Sequence, residues 1–160
     1  MEIEVIYANF FDPEQAKHIG ELMDCYSSDP AGGGSPISEE IKSRLAEELS
    51  KVPGAFSVLC YVDGVPVGLI NCLQGFSTFK CKPLINIHDV VVVPNFRGQG
   101  ISQLMLNKVE EIALARGCCK MTLEVLQANQ IAQNSYLKFG FSGYQLDPKM
   151  GSALFWEKSL

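Results

Sequence analysis

The run VVVVPNFRGQGIS, residues Val90 to Ser102, leaves the chain few ways to fold. Val90 to Val93 is an apolar strand, Pro94-Asn95 a turn, and Arg97-Gly98-Gln99-Gly100-Ile101-Ser102 opens an amphipathic helix. The two glycines let the backbone come close to a ligand. The free N–H groups of the helix's first turn point at that ligand, with the positive end of the helix dipole behind them. A strand, a glycine loop and a helix N-terminus in this order make an anion-binding geometry, although a glycine pair before a helix is by itself often an ordinary turn.

A second signature follows at a spacing that one strand–loop–helix–strand–helix unit produces. After the helix ends near Arg116-Gly117 comes the strand-like MTLEVL, and then NQIAQNSYLKFGF. Its pattern is Asn129, Ala132, Tyr136, Gly140 and Phe141. Asn129 and Tyr136, seven residues apart, share one helical face with Ala132 between them.

With both signatures in place, the chain resembles the GNAT superfamily of acetyl-CoA-dependent N-acyltransferases. The pyrophosphate loop of that family reads Q/R-x-x-G-x-G/A, and a later helix carries an Asn and a Tyr. Arg97, Gly98, Gln99, Gly100 and Ile101 fit position by position, and Ser102 stands where the family usually has Gly or Ala. The resemblance spans roughly Asn86 to Phe141. It implies an α+β fold in which a mixed, mostly antiparallel sheet of about seven strands is flanked by about four helices. It also implies a function, transfer of an acetyl group from acetyl-CoA to a primary amine by direct attack in a ternary complex.

The implied cofactor site comprises the loop from Arg97 through Gln103, the backbone of Val90, Val91 and Val92 pairing with the pantetheine amides, and Asn129 bonding the same arm. The Asn129 side chain is equally suited to capping the helix it precedes. Acyl transfer to an amine needs a base, donors that polarise the thioester carbonyl, and an acid for the departing thiolate. Tyr136 matches the family's tyrosine and is the candidate acid.

Three residues compete for the base. Glu124, five residues before Asn129, matches a glutamate used by ribosomal-protein N-terminal acetyltransferases of the superfamily. Within an apolar strand a carboxylate without a partner is costly, and burial raises its pKa toward useful values. His88 and Asp89 are adjacent on a strand and so point to opposite faces. His88 is expected to share its face with Asn86 and Val90, and neutral imidazole is a suitable base near pH 7. Asn86 occupies the place where histone-type relatives carry a catalytic glutamate, and Asn cannot act as a base.

The 160 residues, 47% of them hydrophobic, suit a single domain spanning 1–160 with a sizeable core. The net charge is −5 and no run of Lys and Arg occurs, which disfavours nucleic acid as a partner. The N-terminus MEIEVIYANF has no leader pattern and no apolar run approaches a membrane span, so a cytoplasmic protein is expected. Six cysteines, Cys25, Cys60, Cys72, Cys81, Cys118 and Cys119, show no metal spacing, so no metal is expected. Cys60, Cys72 and the Cys118-Cys119 pair read as buried thiols.

Periodicity predicts a first strand in EIEVIY and a helix from Asp12-Pro13 to about Cys25. A second helix is opened by Ser38, with Ile41, Leu45 and Leu49 facing in. A hairpin pairs Ala55–Val62 with Val67–Leu73 through Asp63-Gly64. A long strand covers Leu84–Val93, and the next helix buries Ile101, Leu104, Met105, Val109, Ile112 and Ala113. Further strands are expected near Met121–Leu126, Gly143–Leu146 and Leu154–Lys158.

Acceptor selection is expected from the first two helices and their loop, where Glu21, Asp24 and Asp29 supply negative charge; Phe76 and Phe79, in the loop before the long strand, are candidates for a cleft wall. The resemblance leaves a homodimer open without an interface. Two other classes compete. One is a CoA-binding regulatory module without turnover, and the other is a dinucleotide enzyme, against which Gln103 stands where G-x-G-x-x-G needs its third glycine.

Overall fold

The computed structural model describes residues 1–143 and 147–160. Five strands and four α-helices alternate as β1 (Ile3–Tyr7), α1 (Pro13–Ser28), α2 (Glu39–Ser50), β2 (Phe56–Val62), β3 (Val65–Ser77), β4 (Lys82–Val92), α3 (Ile101–Ala115), β5 (Met121–Leu123) and α4 (Gln130–Phe139). The strands lie in one sheet in chain order, β1 through β4 antiparallel and β5 parallel to β4. This is the expected α+β architecture, with five strands among the described residues in place of about seven.

Local chemistry explains the boundaries. Asp12 caps α1 by accepting from the N–H groups of Glu14 and Gln15, with Pro13 at the first helical position. Ser38 caps α2 by accepting from Ile41. The β2–β3 hairpin turns through Asp63 at φ 49° and Gly64 at φ 79°, the two left-handed residues that a two-residue turn of this hand requires.

Two cores sit on the two faces of the sheet. On one face α3 covers Phe56, Val58, Ile70, Ile85 and Ile87 with Ile101, Met105, Leu106 and Val109. On the other, α1 and α2 cover Leu59, Leu69 and Val91 with Ile19, Leu22 and Ala46. At the α1–α2 crossing, a Cβ built on Gly20 would stand 2.5 Å from the Lys42 carbonyl oxygen, so the close approach depends on that glycine. Ile41 and Leu104 are exposed, contrary to the periodic reading. The α1–α2 contact runs through Lys42 and Ala46, leaving Ile41 at its margin, and Leu104 lies at the edge of the α3 stripe.

Three expected strands stand apart from the described ladder. Gly143–Leu146 falls, apart from Gly143, outside the described residues. Leu154–Lys158 is not a strand, because no described strand offers it a ladder, and all of its residues are exposed. The expected strand Met121–Leu126 is ladder-paired only over Met121–Leu123.

Candidate functional site

The structure brings the carboxyl end of β4, the N-terminus of α3 and the body of α4 together. The β4–β5 ladder comprises Ile85↔Met121, Asn86↔Thr122 and Ile87↔Leu123 and then stops. Beyond Ile87, β4 continues to Val92 along β3 alone, so Val90–Val92 present an edge that β5 does not cover. Val91 buries its side chain among α1 and α2, while Val90 and Val92 pack toward α3.

At the end of that edge the loop turns into α3 through Gly98 at φ 75° and Gly100 at φ 81°. A Cβ at either position would meet nothing within 4 Å, so the glycines serve backbone shape and open approach rather than internal packing. Gly100 is the α3 N-cap and brings no side-chain cap, which leaves first-turn N–H groups for an anion.

The side chains of the loop are engaged elsewhere. Arg97 donates from Nε to the Val92 carbonyl at 2.9 Å and from a terminal nitrogen to Asp29 Oδ2 at 3.0 Å. Gln99 donates to the Asn95 carbonyl. Ile101 is core. Ser102 Oγ lies 3.1 Å from Ser135 Oγ, and Gln103 donates to both the Ser135 carbonyl and its hydroxyl. Ser102 and Gln103 thereby fasten α3 to α4 one residue before Tyr136, and only their backbone remains to meet a phosphate.

Asn129 is the α4 N-cap, its Oδ1 accepting from Ala132 N–H at 3.2 Å. Tyr136 is half-buried with its ring edge-on to Phe141 at 6.0 Å between centroids. Burial, and then the neighbouring Tyr26, push its phenol up to about 12. The phenol therefore holds its proton at neutral pH.

Tyr26, near the end of α1, went unnoticed in the sequence. Burial and the negative charges of Asp89 and Asp29 raise its pKa, and its own charge in turn raises that of Tyr136. Asp89 is itself held. Asn71 donates to Asp89 Oδ2 at 3.1 Å, and Ser57 donates to Asn71 Oδ1 at 2.6 Å. Ser57 and Asn71 are buried polar residues inside otherwise apolar strands, the one sequence signal that marks this relay.

The competing bases are sorted by a bulge. Asp89 faces Asn71 and Ile87 faces Cys72, so His88 is an extra residue with no counterpart on β3. The bulge shifts the alternation. Ile85 and Ile87 share the α3 face with Val90, whereas Asp89 joins Asn71 on the opposite one. The expected sharing of a face by His88, Asn86 and Val90 is thus broken. His88 is exposed, and Asn86 donates to the Thr122 hydroxyl. Glu124 lies past the β5 ladder and is exposed, so the burial argument for it does not hold.

The acidic loop residues are mostly paired. Asp24 accepts from Ile37 N–H and lies 3.7 Å from Lys42, Glu21 lies near Lys17, and Asp29 meets Arg97. Arg97 and the Ala31 N–H hold the Asp29 carboxyl below its ordinary range, the backbone bond contributing most. Phe76 and Phe79 are exposed near the β3–β4 turn, at the opposite end of β4 from Val92. Cys60 and Cys72 are buried, and desolvation raises both thiols, Cys60 to about 11. Cys118 and Cys119 are half-buried in the segment before β5. Among the described residues no group of three or more His, Cys, Asp or Glu is placed to hold a metal, and no helix is long and apolar enough to cross a membrane.

Against known proteins, the model of the acetyltransferase (GNAT) family matches residues 19–141. The thialysine N-epsilon-acetyltransferase of Bos taurus is 40% identical over 96 residues, 60% of this chain and 53% of that protein. An uncharacterized N-acetyltransferase of Methanocaldococcus jannaschii is 36% identical over 84 residues, 52% of this chain and 37% of that protein. The chain thus spans about half or less of the length of these relatives. Among solved structures, a possible acetyltransferase from Clostridium difficile 630 superposes with a TM-score of 0.78 at 17% identity, covering 100% of this chain and 99% of that one. AAC(6')-Iy in complex with the bisubstrate analogue CoA-S-monomethyl-acetylneamine superposes with a TM-score of 0.76 at 18% identity, covering all of both chains. Both share the fold.

Proposed function

Because the chain belongs to the GNAT acetyltransferase family, we propose that it transfers an acetyl group from acetyl-CoA to a primary amine by direct attack within a ternary complex. The observation that carries this reading is the uncapped N-terminus of α3 behind Gly98 and Gly100, set at the end of a β4 edge that β5 leaves open. A pyrophosphate fits the first and an extended amide chain the second. Acetyl-CoA, when bound, supplies the thioester; the chain's own residues bind, orient and move protons.

In this reading the N–H groups of Ile101, Ser102 and Gln103 receive the pyrophosphate, and the backbone of Val90, Val91 and Val92 aligns the pantetheine arm. Gln99 and Arg97 fix the loop by their bonds to Asn95 and Val92, and Asn129 shapes the start of α4. Tyr136 serves as the acid, since a desolvated phenol keeps its proton until a thiolate claims it. Asp89, fixed through Asn71 and Ser57, orients the acceptor's ammonium by charge. His88 and Glu124 both stand exposed and compete for the amine's single proton, which reaches one or the other through water. The acceptor class includes amines on flexible aliphatic arms, of the kind that the name of the Bos taurus relative describes.

The test is Tyr136→Phe. The variant should lose at least tenfold in turnover while its CoA affinity, measured by calorimetry, stays within about twofold, because the ring packing on Phe141 is retained and only the hydroxyl is lost. Unchanged turnover would remove Tyr136 from the acid role.

A further inference from the structure

Asp29 stands where α1 gives way to the segment leading to α2, and that segment is built around it. Its backbone carbonyl accepts from the N–H groups of Gly32 and Gly34, and its Oδ1 accepts from Ala31 N–H at 3.0 Å. Ser35 N–H closes the turn on the Ser27 carbonyl. Gly32 passes so near Tyr26 that an added Cβ would overlap the Tyr26 carbonyl. Although it contains three consecutive glycines, the segment therefore holds Asp29 in one place. Its other carboxylate oxygen, Oδ2, receives a terminal nitrogen of Arg97, 68 residues further along the chain, at 3.0 Å.

The same guanidinium reaches the cofactor edge. Val93 N–H donates to the Val67 carbonyl, and successive residues of a strand turn their polar groups to opposite sides, so those of Val92 face away from β3. The β5 ladder ends well before that point, and Arg97 Nε takes the Val92 carbonyl there at 2.9 Å. Both nitrogens belong to one rigid plane, so the two bonds orient each other. The Arg97 and Asp29 side chains are 51% and 25% exposed, and a pair this wet adds little to folding stability. What it supplies is direction, since a guanidinium released by Asp29 can swing away from Val92 and leave the Gly98–Gly100 loop without its brace.

We propose that Asp29 is a positioning residue for the cofactor rather than a ligand of the acceptor: by holding Arg97 it fixes the end of the β4 edge and the glycine loop against which acetyl-CoA lies. The inference rests on the acetyl-CoA reading given above. Its signature is a sign that charge alone would reverse. CoA is a polyanion, so removing a nearby carboxylate should by Coulomb attraction tighten its binding, whereas losing the direction of Arg97 weakens it.

The test is calorimetric titration of the full chain with CoA. Asp29→Asn keeps an oxygen for Ala31 N–H but takes from Arg97 the carboxylate it donates to. It should raise the CoA Kd roughly two- to fivefold. Thermal melts without CoA should match wild type. Arg97→Lys keeps the charge without the planar fork and should weaken CoA as well; in that background Asp29→Asn should weaken it no further. Asp24→Asn removes a carboxylate of α1 that faces Lys42 instead of Arg97, and it should not weaken CoA.

Tighter or unchanged CoA binding by Asp29→Asn would overturn the proposal, as would an equal loss from Asp24→Asn or losses that add in the double variant. An Asp29→Asn protein that fails to fold would place the residue in the fold alone and overturn it too. Wild-type protein that binds no CoA would instead overturn the acetyl-CoA reading, and the proposal with it.

Discussion

Replacing Gly100 by alanine separates binding from folding, because the structure supplies a matched control. Gly100 sits at φ 81° in the loop before α3, and Gly64 sits at φ 79° in the β2–β3 turn; a Cβ at either meets nothing within 4 Å. Left-handed backbone costs an L-residue about 1–2 kcal/mol, so Gly100→Ala and Gly64→Ala should lose similar stability. For a domain of this length that is a fall of roughly 2–8 °C in Tm. Only at Gly100 does the new methyl enter the space in front of the uncapped α3 N-terminus. Displacing one charge-assisted N–H bond to a pyrophosphate removes about 1.5–3 kcal/mol, or roughly 10- to 100-fold in CoA affinity. Calorimetric titration with CoA, paired with thermal melts of both variants, measures the two effects separately. If Gly100→Ala binds CoA as tightly as Gly64→Ala at equal cost in Tm, the α3 N-terminus is not the anion site and the loop is structural.

Other consequences follow from contacts elsewhere in the molecule. Asn71→Ala strands the Ser57 hydroxyl and frees Asp89, so it should cost about 1–3 kcal/mol in denaturant unfolding and raise the acceptor KM while CoA affinity holds. Gly20→Ala forces α1 from the Lys42 carbonyl and should destabilise by about 1–3 kcal/mol, read as a lower urea midpoint with unchanged slope. Tyr136 has its folded pKa raised from 10 to about 12, so its contribution is intact below pH 10 and is lost as pH rises through 12. Alkaline unfolding of wild type should therefore show about 2–3 kcal/mol more loss over that window than Tyr136→Phe, and equal losses would place the phenol in water.

The parts legible in the sequence are those where local chemistry decides the conformation. The glycines at 98 and 100, the Asp63-Gly64 turn, the Asp12 and Ser38 caps and the Asn129 cap each state their geometry in the residues themselves. The register of β4 does not. One extra residue at His88 reverses the face of everything after it, and nothing in INIHDVVVV announces it. Tyr26 feels the charge of Asp89 and acts on Tyr136 only because α1 packs against β4, a tertiary fact without a local signal. Glu21, Asp24 and Asp29 read as an acidic patch, while the structure pairs them with Lys17, Lys42 and Arg97. LFWEK reads as a strand by propensity, but a strand requires a ladder, and no described strand offers Leu154–Lys158 one.

The most direct measurement is acetyl-CoA turnover by the wild-type protein, followed by free-thiol release together with mass spectrometry of the acceptor. The panel comprises thialysine, lysine, polyamines, an aminoglycoside, a streptothricin and N-terminal peptides. The account predicts thiol release in step with N-acetylation of at least one amine, abolished when that amine is left out. Tight CoA binding with no amine acetylated anywhere in the panel would contradict it and leave a CoA-binding module in its place.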